Sequence, residues 1–306
     1  MNAQVLGHAI ACFTMLVWGT TFISTKVLLE TFSPLDILIL RFLLGALALT
    51  FIMPRRLPFL GLKHELTLVA AGLCGVTLYF LLENTALTFT QAANVGIILG
   101  SAPMFCALVD RFFGSKAPLP RGFVAGFICA MSGIALLSVN SLEVDINPLG
   151  DGLAVAASAI WGFYSLAVRK AASFGYPMPL ITRRIFVYGL IGMVPFTWIF
   201  DCGFDPAVLL EPANWGNLLF LGLGASALCF FTWNYALELI GTMQASPYLY
   251  AAPVVTVVAA MIFLQERLTL QASFGMGLTM LGLLLSQRTQ VKQVIRHFWP
   301  TKEKGR

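Results

Sequence analysis

Long apolar runs alternate with short polar breaks along the whole chain. Pro, Gly and charged residues mark the breaks, dividing the chain into ten runs: 5–26, 35–53, 66–87, 92–110, 122–139, 149–168, 179–200, 215–237, 243–264 and 270–287. Each is near the roughly 20 residues an α-helix needs to cross the hydrocarbon of a bilayer. The first run has no Lys or Arg before it and no A-x-A site after it, so it reads as a retained helix rather than a secretory signal. The pattern predicts an all-α membrane protein of ten transmembrane helices.

Composition agrees with this reading. Of the 306 residues, 58% are hydrophobic and 11% charged, against about 25% charged in soluble domains. So few charges cannot cover a water-facing surface, and lipid takes its place. The formal charge of +5 does not imply a nucleic-acid partner, because the basic residues sit in short loops and in the tail. One set of loops carries Arg55, Arg56, Lys63, Arg111, Lys116, Arg121, Arg169 and Lys170, and residues 288–306 add six more cations. The opposite set carries Glu30, Asp36, Glu143, Asp145, Asp151, Asp201, Asp205, Glu211 and Glu266, with Arg267 as its clear cation. Cations stay on the cytoplasmic side, which puts both termini in the cytoplasm and the chain in the cell inner membrane. The six cysteines lack C-x-x-C spacing and read as small apolar side chains rather than disulfides or metal ligands.

The second half repeats the first. At an offset of 143, Gly7 matches Gly150, Trp18-Gly19 matches Trp161-Gly162, Pro34 matches Pro177 and Arg41 matches Arg184. At an offset of 150, Gly72 matches Gly222, Asn84 matches Asn234, and Ala102-Pro103 matches Ala252-Pro253. Many matches in order mark an internal repeat, dividing the chain into 1–145, 146–287 and a basic tail, 288–306. Five spans is an odd number, so the second half enters the membrane the opposite way round. This inverted repeat suits alternating access, in which the halves exchange conformations. Both halves lie in one chain, so a monomer suffices.

Trp18-Gly19-Thr20-Thr21-Phe22, Arg41, and Ala92-Ala93-Asn94 leading to Ala102-Pro103 together resemble the EamA-type drug/metabolite transporters. So does Ala251-Ala252-Pro253 followed by Gln265-Glu266-Arg267-Leu268. The resemblance covers roughly 5–287. It implies ten helices in two five-helix repeats, cytoplasmic termini, a central cavity built by spans 1, 3, 4, 6, 8 and 9, and mostly export of amino acids and other metabolites. The counterpart of Glu266 is Lys116, a departure from the acidic or polar residue expected there.

Glu83 is the most conspicuous candidate for transport chemistry. A carboxylate inside a span is costly and faces a cavity or a partner. Tyr79 lies one turn earlier on the same face. Glu83 could receive a substrate amine or a coupling proton, or pair with Lys26 or Arg41. Trp18 and Trp161 sit midway through spans 1 and 6, where a tryptophan lines a cavity or packs helices. With Tyr164 and Trp233 they would suit amphipathic or aromatic substrates. Asn94 and Gln244 are further substrate candidates, while Asn84 and Asn234 read as helix bridges. Pro103 and Pro253 are symmetric candidates for gating kinks. Arg41 and Arg184 read as side chains that snorkel to headgroups.

No H-E-x-x-H, phosphate loop or Asp-rich metal run is present in the sequence. The reading is therefore a transporter driven by gradients, with no cofactor or metal, a small-molecule substrate, the bilayer as surroundings, and proton coupling as one option. A flippase for lipid-linked precursors and a receptor or scaffold that moves nothing are the alternatives.

Overall fold

The second rod shows how the polar breaks work. Helix α2 (Pro34–Ile52) begins with a capping box: Asp36 N–H donates to Ser33 Oγ at 3.2 Å, and Ser33 N–H donates to the Asp36 carboxylate at 3.3 Å. Pro34 occupies the first helical position, where no N–H is needed. Residues that satisfy one helix end locally let the chain turn within a few positions.

The computed structural model describes residues 3–115, 118–119, 122–143, 148–200, 202–203, 206–245, 248–249 and 251–286, with the side chains of 137–143, 234, 237–238 and 241–244 excluded. Lys116, Arg121, Asp145, Asp201, Asp205, the tail 288–306 and the side chains of Glu143, Asn234 and Gln244 lie outside the described residues.

Among the described residues the chain forms helical rods. They are α1 (Ala3–Leu28), α2, α3 (Leu62–Phe89), α4 (Ala92–Phe113), α5 (Phe123–Glu143), α6 (Pro148–Ala172) and α7 (Met178–Trp198). After a 3₁₀ turn at Pro206–Leu210, α8 runs through Pro212–Leu219, Phe220–Leu228 and Cys229–Ala245, followed by α9 (Ala251–Phe263) and α10 (Leu270–Ser286). Seven are long and apolar enough to cross a membrane; Phe123–Leu136, α9 and α10 are shorter apolar helices. The ninth run differs from expectation. A helix covers Ala251–Phe263 rather than 243–264, because α8 continues to Ala245 and takes the first residues of that run.

Two rods change winding midway. In α3, Leu73–Leu78 is π-helical, and in α8, Phe220–Leu228 is. At the offset of 150 the first maps inside the second. In α4 the helix stops at Leu99 and restarts at Ala102, so Pro103 falls in a first turn, where its missing N–H costs nothing.

The rods pair across the two halves. Helix α3 packs on α6 and α7, whereas α8 packs on α1 and α2. Helix α4 packs on α6 and α9, α9 packs on α1 and α4, and α5 packs on α10. Exchanging rods one to five with six to ten leaves this set of pairings unchanged. The α5–α10 contact is close because it is lined with glycine: a Cβ on Gly126 would lie 2.6 Å from Gly282 O, and one on Gly133 2.5 Å from Gly275 O. None of the six cysteines forms a disulfide; Cys229 is buried and Cys12 is exposed.

Candidate functional site

The site begins just past the π segment of α3. Tyr79 and Glu83 are four residues apart on one face, and the Tyr79 hydroxyl donates to the Glu83 carboxylate. Glu83 is 2% exposed. The cation that faces it is Arg41 of α2, itself 3% exposed. Arg41 therefore does not snorkel to headgroups. It lies seven residues beyond Pro34, about 10 Å along the helix, too deep for its side chain to regain the surface. Its Nε donates to Ser226 Oγ on α8 at 2.9 Å, and its guanidinium sits 4.4 Å from the Phe80 ring centroid and 5.5 Å from that of Phe42. Two aromatic faces thus replace part of the lost hydration. One of its terminal nitrogens, Nη1, is buried with no hydrogen-bond partner among the described residues.

Aromatic rings join this pair to both halves. Tyr164 meets Trp161 at 4.6 Å between centroids, Trp161 meets Tyr79 at 4.6 Å, and Tyr79 meets Phe80 at 4.7 Å. Phe80, Phe42 and Phe186 follow at 5.0 Å spacings. Phe186 then meets Phe230 at 5.7 Å, Phe230 meets Trp18 at 5.7 Å, and Trp18 meets Trp233 at 5.8 Å. The belt draws on α1, α2, α3, α6, α7 and α8. Two of its rings dock on the π segments. Tyr164 lies against Gly75, where a Cβ would overlap its ring, and Trp18 Nε1–H donates to Ala225 O at 3.0 Å.

The remaining candidates lie elsewhere. Asn94 belongs to a polar network at the end of the bundle that carries the acidic loops: its amide donates to Thr90 Oγ1 at 3.4 Å, and Thr90 Oγ1–H donates to Asp151 at 2.9 Å. Lys26, a suggested partner for Glu83, donates there instead, to the carbonyls of Leu87 (2.5 Å) and Thr90 (2.8 Å). The Glu266 carboxylate accepts from the N–H groups of Ala92 (2.8 Å) and Ala93 (3.0 Å), capping α4. Asn84 bridges helices, donating to Pro34 O at 3.2 Å. Near the proline segments, a Cβ on Gly100 would lie 2.7 Å from Pro253, so the break in α4 abuts the first turn of α9. Gln244's side chain is outside the described residues. Ser226 and the π segments were not among the residues singled out in the sequence. The repeat alignment of Arg41 with Arg184, two arginines well inside their runs, was the available signal for Arg41.

Apolar rods of spanning length around a buried aromatic belt and an opposed Arg–Glu pair define a multi-pass membrane protein. The EamA-like transporter family matches residues 5–139 and again residues 148–287, and the chain belongs to that family. An "Uncharacterized transporter" of Archaeoglobus fulgidus is 27% identical over 299 residues, covering 95% of this chain and 99% of the relative. A "Probable amino-acid metabolite efflux pump" of Escherichia coli is 26% identical over 284 residues, covering 90% and 93%. A solved crystal structure superposes with a TM-score of 0.61 over 94% of this chain and 99% of its own, at 20% identity, which shows a shared fold. Membership in this family implies a small-molecule substrate and a place in the bilayer.

Proposed function

We propose that the chain is a secondary transporter that exports amino acids or related amphipathic compounds across the cell inner membrane by alternating access. The halves, 1–145 and 146–287, each span the membrane five times in opposite senses, with both termini and the tail 288–306 cytoplasmic. The observation that carries this reading is the pairing of rods across the halves, which is unchanged when rods one to five are exchanged with six to ten. A protein that must interconvert two arrangements related by a pseudo-two-fold axis needs such contacts, and a scaffold does not. A relative named as an amino-acid metabolite efflux pump supports the substrate class.

The substrate site in this reading is the belt around Tyr79, Glu83, Trp161 and Tyr164, with Trp18 and Trp233 at its other end, and with Asn94 and Gln244 toward the ends of the spans. Glu83 and Arg41 are both buried, so the belt stands closed, and its rings must part to admit a substrate. Pro103 and Pro253 lie where α4 and α9 meet and form the gating joint. A protonatable Glu83 opposite a fixed cation provides a route for proton coupling. One chain holds both halves and works as a monomer.

Counterflow in proteoliposomes tests this reading, with aromatic and small neutral amino acids loaded one at a time. Accumulation of labelled amino acid that depends on the opposing pool is expected. Counterflow of lipid-linked sugars but of no amino acid would replace it with the flippase reading. Binding without counterflow of any compound would make the chain a receptor.

A further inference from the structure

A second polar site stands at the opposite end of the bundle from Asn94, where the basic loops gather. Arg183 and Arg184, in the second turn of α7, contact the α2–α3 connection. Arg183 donates to the carbonyls of Met53 (2.8 Å) and Arg55 (2.5 Å). Arg184 donates to the carbonyls of Leu57 and Pro58 and pairs with Glu65 at 2.5 Å. Beside these contacts lies a half-open recess of about 260 Å³, bordered among others by Arg56, Arg183, Arg184, Tyr188, Leu180 and Val187.

The charges in this recess do not balance. Glu65 is taken up by Arg184, by the Tyr188 hydroxyl at 2.5 Å and by the Leu60 N–H at 3.2 Å. Among the described residues no carboxylate pairs with Arg56 or Arg183. Two guanidinium groups thus border the recess without a carboxylate; each terminal nitrogen of Arg183 gives one N–H to a loop carbonyl and keeps a second. Planar N–H forks of this kind match phosphate oxygens. Leu57, Leu180 and Val187 add apolar surface to the recess, and Val187 is exposed.

We propose that this recess binds a phosphate-bearing anion, the headgroup of an anionic lipid or a free phosphate, on Arg56 and Arg183. A basic pocket between membrane helices at a headgroup level has the chemistry to select an anionic lipid over a zwitterionic one. The site is separate from the aromatic belt and does not rest on the identity of the transported substrate.

Purified full-length protein in neutral detergent is titrated with phosphatidylglycerol, phosphatidylcholine and inorganic phosphate, with bound lipid counted by native mass spectrometry. Phosphatidylglycerol or phosphate is expected to bind in preference to phosphatidylcholine. Arg56→Gln is expected to weaken that binding roughly tenfold, the loss of about one charge-assisted hydrogen bond. Arg56 is exposed and holds no loop carbonyl, so its variant keeps the fold; Arg183→Gln is the second variant, read alongside its melting temperature. Displacement of phosphatidylglycerol by millimolar phosphate identifies a free phosphate as sufficient, and resistance to it identifies the lipid. Equal binding of phosphatidylglycerol and phosphatidylcholine with no phosphate binding overturns the proposal, as does an Arg56→Gln protein that binds like the parent.

Discussion

Arg41 on α2 and Ser226 on α8 are joined by a 2.9 Å hydrogen bond between rods of different halves. Ser226 lies within the π segment of α8, so the guanidinium is held by a stretch whose backbone is not wound like its surroundings. The same guanidinium faces Phe80 and the charge of Glu83, both on α3. Motion of α3 against α8 must therefore disturb Arg41.

Arg41 and Glu83 should be energetically coupled. Arg41→Gln and Glu83→Gln, alone and together, are expected to give a coupling energy of about 1–3 kcal/mol in thermal or denaturant unfolding, as neighbouring buried charges do. Additivity within about 0.5 kcal/mol would mean that the two charges do not sense each other.

Glu83→Gln is expected to slow transport and flatten its pH dependence. The assay is flux in reconstituted vesicles from about pH 5.5 to about pH 8, a range that a carboxylate inside a span can titrate through. Identical profiles for parent and variant would remove Glu83 from proton coupling while leaving it a role in binding.

Trp161→Ala removes the ring between Tyr79 and Tyr164. The expected outcome is a changed ratio of counterflow rates between aromatic and small neutral amino acids, with protein still in the membrane. Loss of folded protein with an unchanged ratio would make Trp161 a packing residue only.

Gly75→Ala places a methyl group into the Tyr164 ring. Overpacking of this kind costs about 1–3 kcal/mol, and the second change Tyr164→Leu is expected to recover part of it. Gly277→Ala on α10, where a Cβ meets nothing within 4 Å among the described residues, is the matched control and should hold or slightly raise the melting temperature, since Ala favours helix over Gly.

Glu266→Ala strips the cap from α4, leaving the Ala92 and Ala93 N–H groups without their carboxylate. A cost of about 0.5–2 kcal/mol follows. A cysteine introduced as Gln91→Cys should then react faster with a polar thiol reagent, reporting a loosened helix start. Unchanged reactivity would show that Glu266 is dispensable to the packing at that end.

Much of this architecture is written in the sequence, and the physical reason differs from part to part. Apolar runs near spanning length leave the backbone no option but helix in a bilayer, so the rods appear where the runs do. Tyr79 and Glu83, one turn apart, come together because helix geometry alone puts them there. Arg41 departs from the expectation for another reason: an arginine this far into a run can turn outward or inward, and the apolar pattern does not show that Ser226 and Phe80 on other rods receive it. The start of α9 was misread for a related reason: α8 extends to Ala245, and nothing in the apolar pattern marks where one rod yields to the next. The π segments carry no residue signature, since one extra residue per turn changes neither composition nor hydropathy. The proline pair was visible as a symmetry, but its contact through Gly100 depends on α4 lying against α9, a relation between residues some 150 positions apart.

The embrace of α5 and α10 bears on how the protein comes to be assembled. Chains emerge from the ribosome in order, so α5 is made long before its partner has been synthesised. The glycine track of Gly126 and Gly133 spends that interval facing lipid or a temporary neighbour. Closure of the bundle therefore awaits its tenth rod, and a chain that ends before Leu270 lacks the main partner of α5.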